Sequence, residues 1–135
     1  MSTKENNQVI QPKFEVRFDR DAAKEYGKLS QPVLGIVNKS IEELEVRADV
    51  IGKNLGNKRD MKLAGCKEIK LREAGIRIIY RVTNETVDVL KVVYVLTIEK
   101  RSDDFAFKLA SQRLKLFKRT DKPTVLSKSR KWEKK

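Results

Sequence analysis

The stretch from Leu63 to Val82, LAGCKEIKLREAGIRIIYRV, constrains the fold more than any other part of the chain. Two strand-like runs flank a Glu73-Ala74-Gly75 turn, the pattern of a β-hairpin. Cations are planted among the apolar residues: Lys67, Lys70 and Arg72 on the first strand, Arg77 and Arg81 on the second. Strand side chains alternate between faces, so the register decides which of them meet. With Arg72 opposite Arg77, Lys70 faces Ile79, while Ile69 and Leu71 meet Tyr80 and Ile78. Ile69, Leu71, Ile78 and Tyr80 then share an apolar face, and Lys70, Arg72 and Arg77 share the other. A one-residue slip would mix cations into the apolar set, so the hydrophobic pattern itself selects a cationic, phosphate-binding face.

The flanks supply the rest of an α+β domain. Residues 1–12 are polar and close on Pro12, a flexible leader. KFEVRF, Lys13 to Phe18, alternates as a first strand. Asp19 caps a helix to about Leu29, and Pro32 opens a second helix to about Ile51. Val33, Ile36, Val37, Ile41, Leu44 and Ala48 form that second helix's inward stripe, and the two helices make an antiparallel hairpin. The segment from Gly52 to Asp60 reads as a loop. A third strand of the central group, Thr86 to Lys100, is almost continuously β-branched or aliphatic and fits burial on both faces. An Asn84-Glu85 hairpin turn would set Arg81 opposite Asp88 as an ion pair. Ser102, Asp103 and Asp104 cap a last helix to Phe117, with Phe105, Leu109, Leu114 and Phe117 as packing residues. Tyr80, Tyr94 and Cys66 read as core. From Lys118 onward there are eight cations and two acids, a basic extension. The order is β-α-α-β-β-β-α: an antiparallel sheet packed against a helical hairpin and a C-terminal helix.

Composition then excludes much chemistry. No histidine is present, which removes imidazole catalysis, histidine-ligated metals and the Ser-His-Asp and Cys-His devices. No Gly-rich phosphate loop appears among the six glycines, and one cysteine offers no disulfide framework. With 31 Lys and Arg against 19 Asp and Glu, the net charge of +12 calls for a polyanionic partner. No apolar run reaches membrane-spanning length and no signal peptide is evident, so the expected compartment is the cytoplasm and no membrane partner is implied. An enzyme with this composition works with Lys, Arg, carboxylates, Tyr or hydroxyls.

On LREAGIRIIY and IEKR, which with Lys70 supply Arg77 and Arg101, the chain resembles the RelE branch of the RelE/ParE superfamily of toxins from type II toxin–antitoxin modules. The resemblance spans Lys13 to Leu116 and is strongest between Leu63 and Arg101. It implies the same β-α-α-β-β-β-α architecture and an endoribonuclease that cuts mRNA on the ribosome without a cofactor or metal. It also implies a cognate antitoxin as partner. Lys70, Arg77 and Arg101 match positions tied to catalysis; parity alone does not place Arg101. Lys67 and Arg72 are candidates for RNA binding. Two positions depart from the pattern. Glu68 stands where a lysine is expected, with Lys67 beside it as a possible substitute. The last helix carries Phe107 where the best-known branch has tyrosine; phenylalanine can stack on a base but moves no proton.

Two other functions compete. One is a non-catalytic inhibitor of DNA gyrase like the ParE branch, which generally lacks the Lys/Arg site. The other is a basic ribosome- or nucleic-acid-binding module without chemistry, which Glu68 and Phe107 favour.

Overall fold

Phe14, Val16 and Phe18 alternate along β1 (Phe14–Phe18), the first element of the computed structural model, which describes residues 12–56, 63–87, 90–100 and 103–119. Asp19 caps α1 (Arg20–Gly27) by accepting from the Asp21 and Ala22 amides at 2.8 and 3.1 Å. This is the cap expected of a short acid at a helix start. Then follow α2 (Val33–Arg47), β2 (Lys53–Asn54), β3 (Cys66–Leu71), β4 (Ile76–Val87), β5 (Leu90–Glu99) and α3 (Asp103–Arg119). The expected leader, except Pro12, and nearly all of the basic extension lie outside the described residues.

The five strands form one sheet in the order β1-β5-β4-β3-β2. Two features differ from the expected architecture. The segment read as a loop after Gly52 contributes β2, which pairs antiparallel with Glu68 and Lys67 of β3. The first strand, β1, runs parallel to β5, from Phe14 opposite Lys91 to Phe18 opposite Val95, so the sheet is mixed. The connection between them runs through the helical hairpin and then β2, β3 and β4, far longer than the dozen residues that parallel pairing needs.

The central hairpin keeps the expected faces but not the expected partners. Lys70 lies opposite Arg77, Ile69 opposite Ile78 and Leu71 opposite Ile76. The register is therefore shifted by two residues, with Arg72 in the turn, where Gly75 takes a left-handed φ of 66°. Because strand side chains repeat every two residues, a two-residue shift leaves each on its face. A second correction concerns Asn84 and Glu85, which lie within β4, whose pairing with β5 continues to Val87 opposite Leu90. Their turn signal serves a bulge instead. The Thr83 hydroxyl donates to the Val92 carbonyl at 2.9 Å and accepts from the Glu85 amide at 3.1 Å, where the register shifts. Arg81 consequently faces Tyr94 and donates to the Ala64 carbonyl at 3.2 Å; its expected partner, Asp88, lies outside the described residues.

Each face of the sheet has its own core. Phe14, Phe18, Ile76, Ile78, Tyr80, Val93, Val95 and Ile98 pack under α1 and α2. Cys66, Ile79, Tyr94 and Leu96 pack on the opposite face with Leu55, Leu63 and the Ala106, Phe107, Ala110 and Leu114 side of α3. An ionic bridge fastens α3 over that face. Arg113, only 9% exposed, donates to both Glu25 carboxylate oxygens at 3.0 and 2.9 Å and to the Leu96 carbonyl at 3.0 Å. Glu25 also accepts from the Thr97 hydroxyl and the Ile98 amide, and Asp19 lies 3.6 Å from the Arg113 guanidinium. Burial opposes the charge on Arg113, but the Glu25 hydrogen bonds, then the charges of Glu25, Asp19 and Asp21, outweigh it and raise its pKa. Burial likewise pushes the Asp19 carboxyl above its ordinary value, against its cap hydrogen bonds and Arg113.

Candidate active site

Three neighbouring strands place one row of charge across the sheet. Lys70 on β3 is directly opposite Arg77 on β4, and Arg77 is directly opposite Glu99 on β5. Directly opposed residues have Cβ atoms about 5 Å apart and project from the same face. Here it is the face carrying Ile79 and covered further along by α3. Lys70 is exposed, Arg77 is half-buried and Glu99 is buried at 4% exposure.

A groove of about 320 Å³ opens at this end of the β3–β4 hairpin, lined by Lys70, Leu71, Arg72, Gly75, Ile76 and Arg77. It brings together three of the six residues singled out from the sequence. Arg72 reaches it from the turn, not from the strand. A second cleft of about 580 Å³, between α2 and β3, shares Lys70, Leu71 and Arg72 and adds Lys39 and Ser40. Two guanidiniums and an ammonium around a space of nucleotide size can hold a phosphate in bidentate fashion and offset charge that builds up on its oxygens.

The other described candidates, Lys67 and Phe107, do not line this groove. Lys67 pairs with Tyr80 on the face carrying Ile69 and Ile78, which α1 and α2 cover; strand alternation keeps it from standing in for the lysine absent at position 68. Glu68 shares the face of Lys70 but is buried, at 5% exposure. Phe107 is 6% exposed and packs among Leu55, Leu63, Ile79 and Leu96, so it belongs to the core and is not presented for stacking. Arg101 lies outside the described residues. Among the described residues, no group of three or more His, Cys, Asp or Glu gathers as a metal site. No described helix is long and apolar enough to cross a membrane.

Glu99 was not among the sequence candidates. Its only signal is an acid closing an otherwise apolar strand, immediately before Lys100 and Arg101.

Comparison with known proteins identifies the family and the fold. The mRNA interferase toxin RelE of Escherichia coli is 31% identical over 97 residues, covering 72% of this chain and 93% of RelE. The chain belongs to the RelE family of toxins. A RelE-like toxin protein of Escherichia coli is 27% identical over 103 residues, 76% of this chain and 99% of its own length. Among solved structures, a doubly substituted free Escherichia coli RelE superposes with a TM-score of 0.56 at 29% identity, covering 74% of this chain and 96% of that one. RelE from the intact Escherichia coli RelBE toxin–antitoxin complex superposes at 0.51 with 31% identity, covering 65% of this chain and 96% of that one. No protein-family model matches the chain. The relatives thus account for the sheet and its helices, and the RelE-like region carries the Lys70–Arg77 pair at its central hairpin.

Proposed function

We propose that this RelE-family chain is an endoribonuclease toxin that cuts mRNA on the ribosome in the cytoplasm and needs no metal. The observation that carries the reading is the direct opposition of Lys70 and Arg77 beside a groove that Arg72 completes. In RNA, the 2′-oxygen attacks the adjacent phosphorus as its proton leaves. The bond to the 5′-oxygen of the next nucleotide breaks, and that oxygen takes up a proton. Products are a 2′,3′-cyclic phosphate and a free 5′-hydroxyl. Arg77 and Arg72 stabilise the charge on the non-bridging oxygens, and Lys70 is the side chain available to move a proton. Arg101 joins them by its match to the family pattern.

The partner proposed to restrain this activity is a co-encoded antitoxin, since RelE in the RelBE complex is bound by one. A segment with both acidic and apolar residues would suit the groove and the α3 surface beside it.

The test is induced expression in growing cells with mapping of new mRNA 5′ ends. Growth arrest with cuts inside translated regions is expected. Arg77→Ala should lose roughly 3 kcal/mol of transition-state stabilisation, as when an oxyanion-hole donor is removed. A fully toxic Arg77→Ala chain would remove Arg77 from the mechanism. Buried Phe107 and the acid at position 68 favour a basic ribosome-binding module without chemistry; arrest with intact mRNA would establish that reading instead. Supercoiling defects with intact mRNA would point to gyrase.

A further inference from the structure

The hairpin groove opens into a longer channel. It shares Lys70, Leu71 and Arg72 with the cleft between α2 and β3. That cleft in turn shares Ser40, Glu43 and Lys70 with a third hollow of about 440 Å³, which continues past Ile69 to Ile51, Gly52 and Lys53. Half-buried Ile36 and Leu71 in the cleft, and Ile51 and Ile69 in the hollow, give the channel apolar surface. Lys39, Lys53, Lys70 and Arg72 line it as exposed cations, and with half-buried Arg77 they outnumber the acids by five to three. Two of those acids offset little of this charge. Glu43 is engaged by Arg47 at 2.8 Å, and Glu68 is only 5% exposed. Lys53 is opposite Glu68 in the sheet, but it is exposed where Glu68 is buried. Glu73, in the turn, is the third acid and is exposed.

We propose that this channel is a track for single-stranded RNA, in which Lys39 and Lys53 hold backbone phosphates to one side of the scissile one. The inference rests on the nuclease reading above, which puts the scissile phosphate in the hairpin groove. Exposed cations beside apolar surface suit a strand whose phosphates meet ammonium groups while its riboses and bases cover aliphatic carbon. Lysine is a point charge on a flexible stem, so it holds a phosphate without demanding a particular base. Ser40 lines both the cleft and the third hollow, and adds a hydroxyl donor between them. An acidic protein segment would meet the same lysines. Continuity with the hairpin groove favours the RNA strand, because one chain of phosphates can then occupy both.

The test measures binding of the full chain to a 2′-O-methylated single-stranded RNA across a salt series. This RNA has no 2′-hydroxyl to attack, so the readout does not depend on cutting. Lys39→Ala combined with Lys53→Ala should weaken binding roughly tenfold at low salt. The log–log salt slope should fall by about 0.7 for each phosphate no longer neutralised. Both lysines are exposed, so the melting temperature should hold. Lys24→Ala, an exposed lysine on α1 that lines none of the three cavities, should change binding far less. A double variant that binds with the parent's affinity and slope overturns the proposal, as does a parent chain that does not bind this RNA. Unchanged RNA binding with lost binding of an acidic antitoxin segment would give the channel to the protein partner instead. A chain that binds RNA through Lys39 and Lys53 yet leaves mRNA intact in cells would refute the nuclease reading and keep the track. A cutting chain indifferent to both lysines would do the reverse.

Discussion

At the scale of single residues, Tyr80 shows how the sheet secures the helical hairpin. Its side chain is fully buried, and its hydroxyl donates to the carbonyls of Ala48 and Ile51 at 2.9 and 3.2 Å, just past the end of α2. These are carbonyls for which the helix itself has no donor. Burial, then the charge of Asp49, raises the Tyr80 pKa far above its ordinary value, so the hydroxyl stays a donor across the neutral range. Gly52, at φ 85°, lets the chain pass this hydroxyl; a Cβ there would collide with the Tyr80 oxygen. Tyr80→Phe should lower stability by about 1–2 kcal/mol, the cost of stranding buried acceptors, and thermal denaturation reads it. The variant should keep its toxicity, because Tyr80 lies on the face opposite Lys70 and Arg77. Loss of toxicity at unchanged stability would put Tyr80 in the site. Tyr80 was legible as core, and Lys70 and Arg77 as face-mates, because each takes its place from parity. Glu99 was not, since its meaning depends on which residue of a neighbouring strand it meets.

At the scale of elements, local signals set type and face, while long-range pairing set partners. Arg72 was expected opposite Arg77 but lies in the turn, a shift that hydrophobic alternation cannot detect because it is even. Asn84-Glu85 carried a turn signal that the sheet used for a bulge. For α3, the expected stripe of Phe105, Leu109, Leu114 and Phe117 is rotated toward Ala106, Phe107, Ala110 and Leu114. Phe105 and Leu109 are half-buried, and the Phe117 side chain lies outside the described set. The phase was misread because small alanines and a buried cation, Arg113, occupy inward positions. That cation carries a prediction. Arg113→Ala should destabilise the protein by about 3 kcal/mol, because buried Asp19 and half-buried Glu25 would be left without their cation. Amide exchange in α3 should accelerate with it. Combining Arg113→Met with Glu25→Met should recover much of the stability, since two apolar side chains can replace a buried ion pair. An unchanged melting temperature in Arg113→Ala would show that the bridge does not hold the helix.

At the scale of the whole molecule, charge and topology were unequally readable. The parallel pairing of β1 with β5 closes the sheet across most of the chain, and nothing local announces it. The net charge of +12 was plain from composition, and it bears on how a toxin of this family would find its target. Residues 120–135 hold six Lys and Arg against two acids, so removing them takes away four of the twelve net positive charges. They also contain few apolar residues with which to fold alone. Truncation after Arg119 should weaken ribosome binding and flatten its salt dependence. The log–log slope should fall by roughly 0.7–0.9 for each phosphate that the shortened chain no longer neutralises. The positions of the cuts should not move, because groups that bind phosphate position a protein without reading sequence. Trp132 offers a further interaction, stacking on an exposed base, and Trp132→Ala in the full chain separates that contribution from charge. Binding measured across a salt series, alongside mapped 5′ ends, decides among the outcomes. An unchanged slope would mean the extension meets no phosphate. A changed cleavage pattern would mean it takes part in choosing the site, and a lowered melting temperature would make it part of the fold.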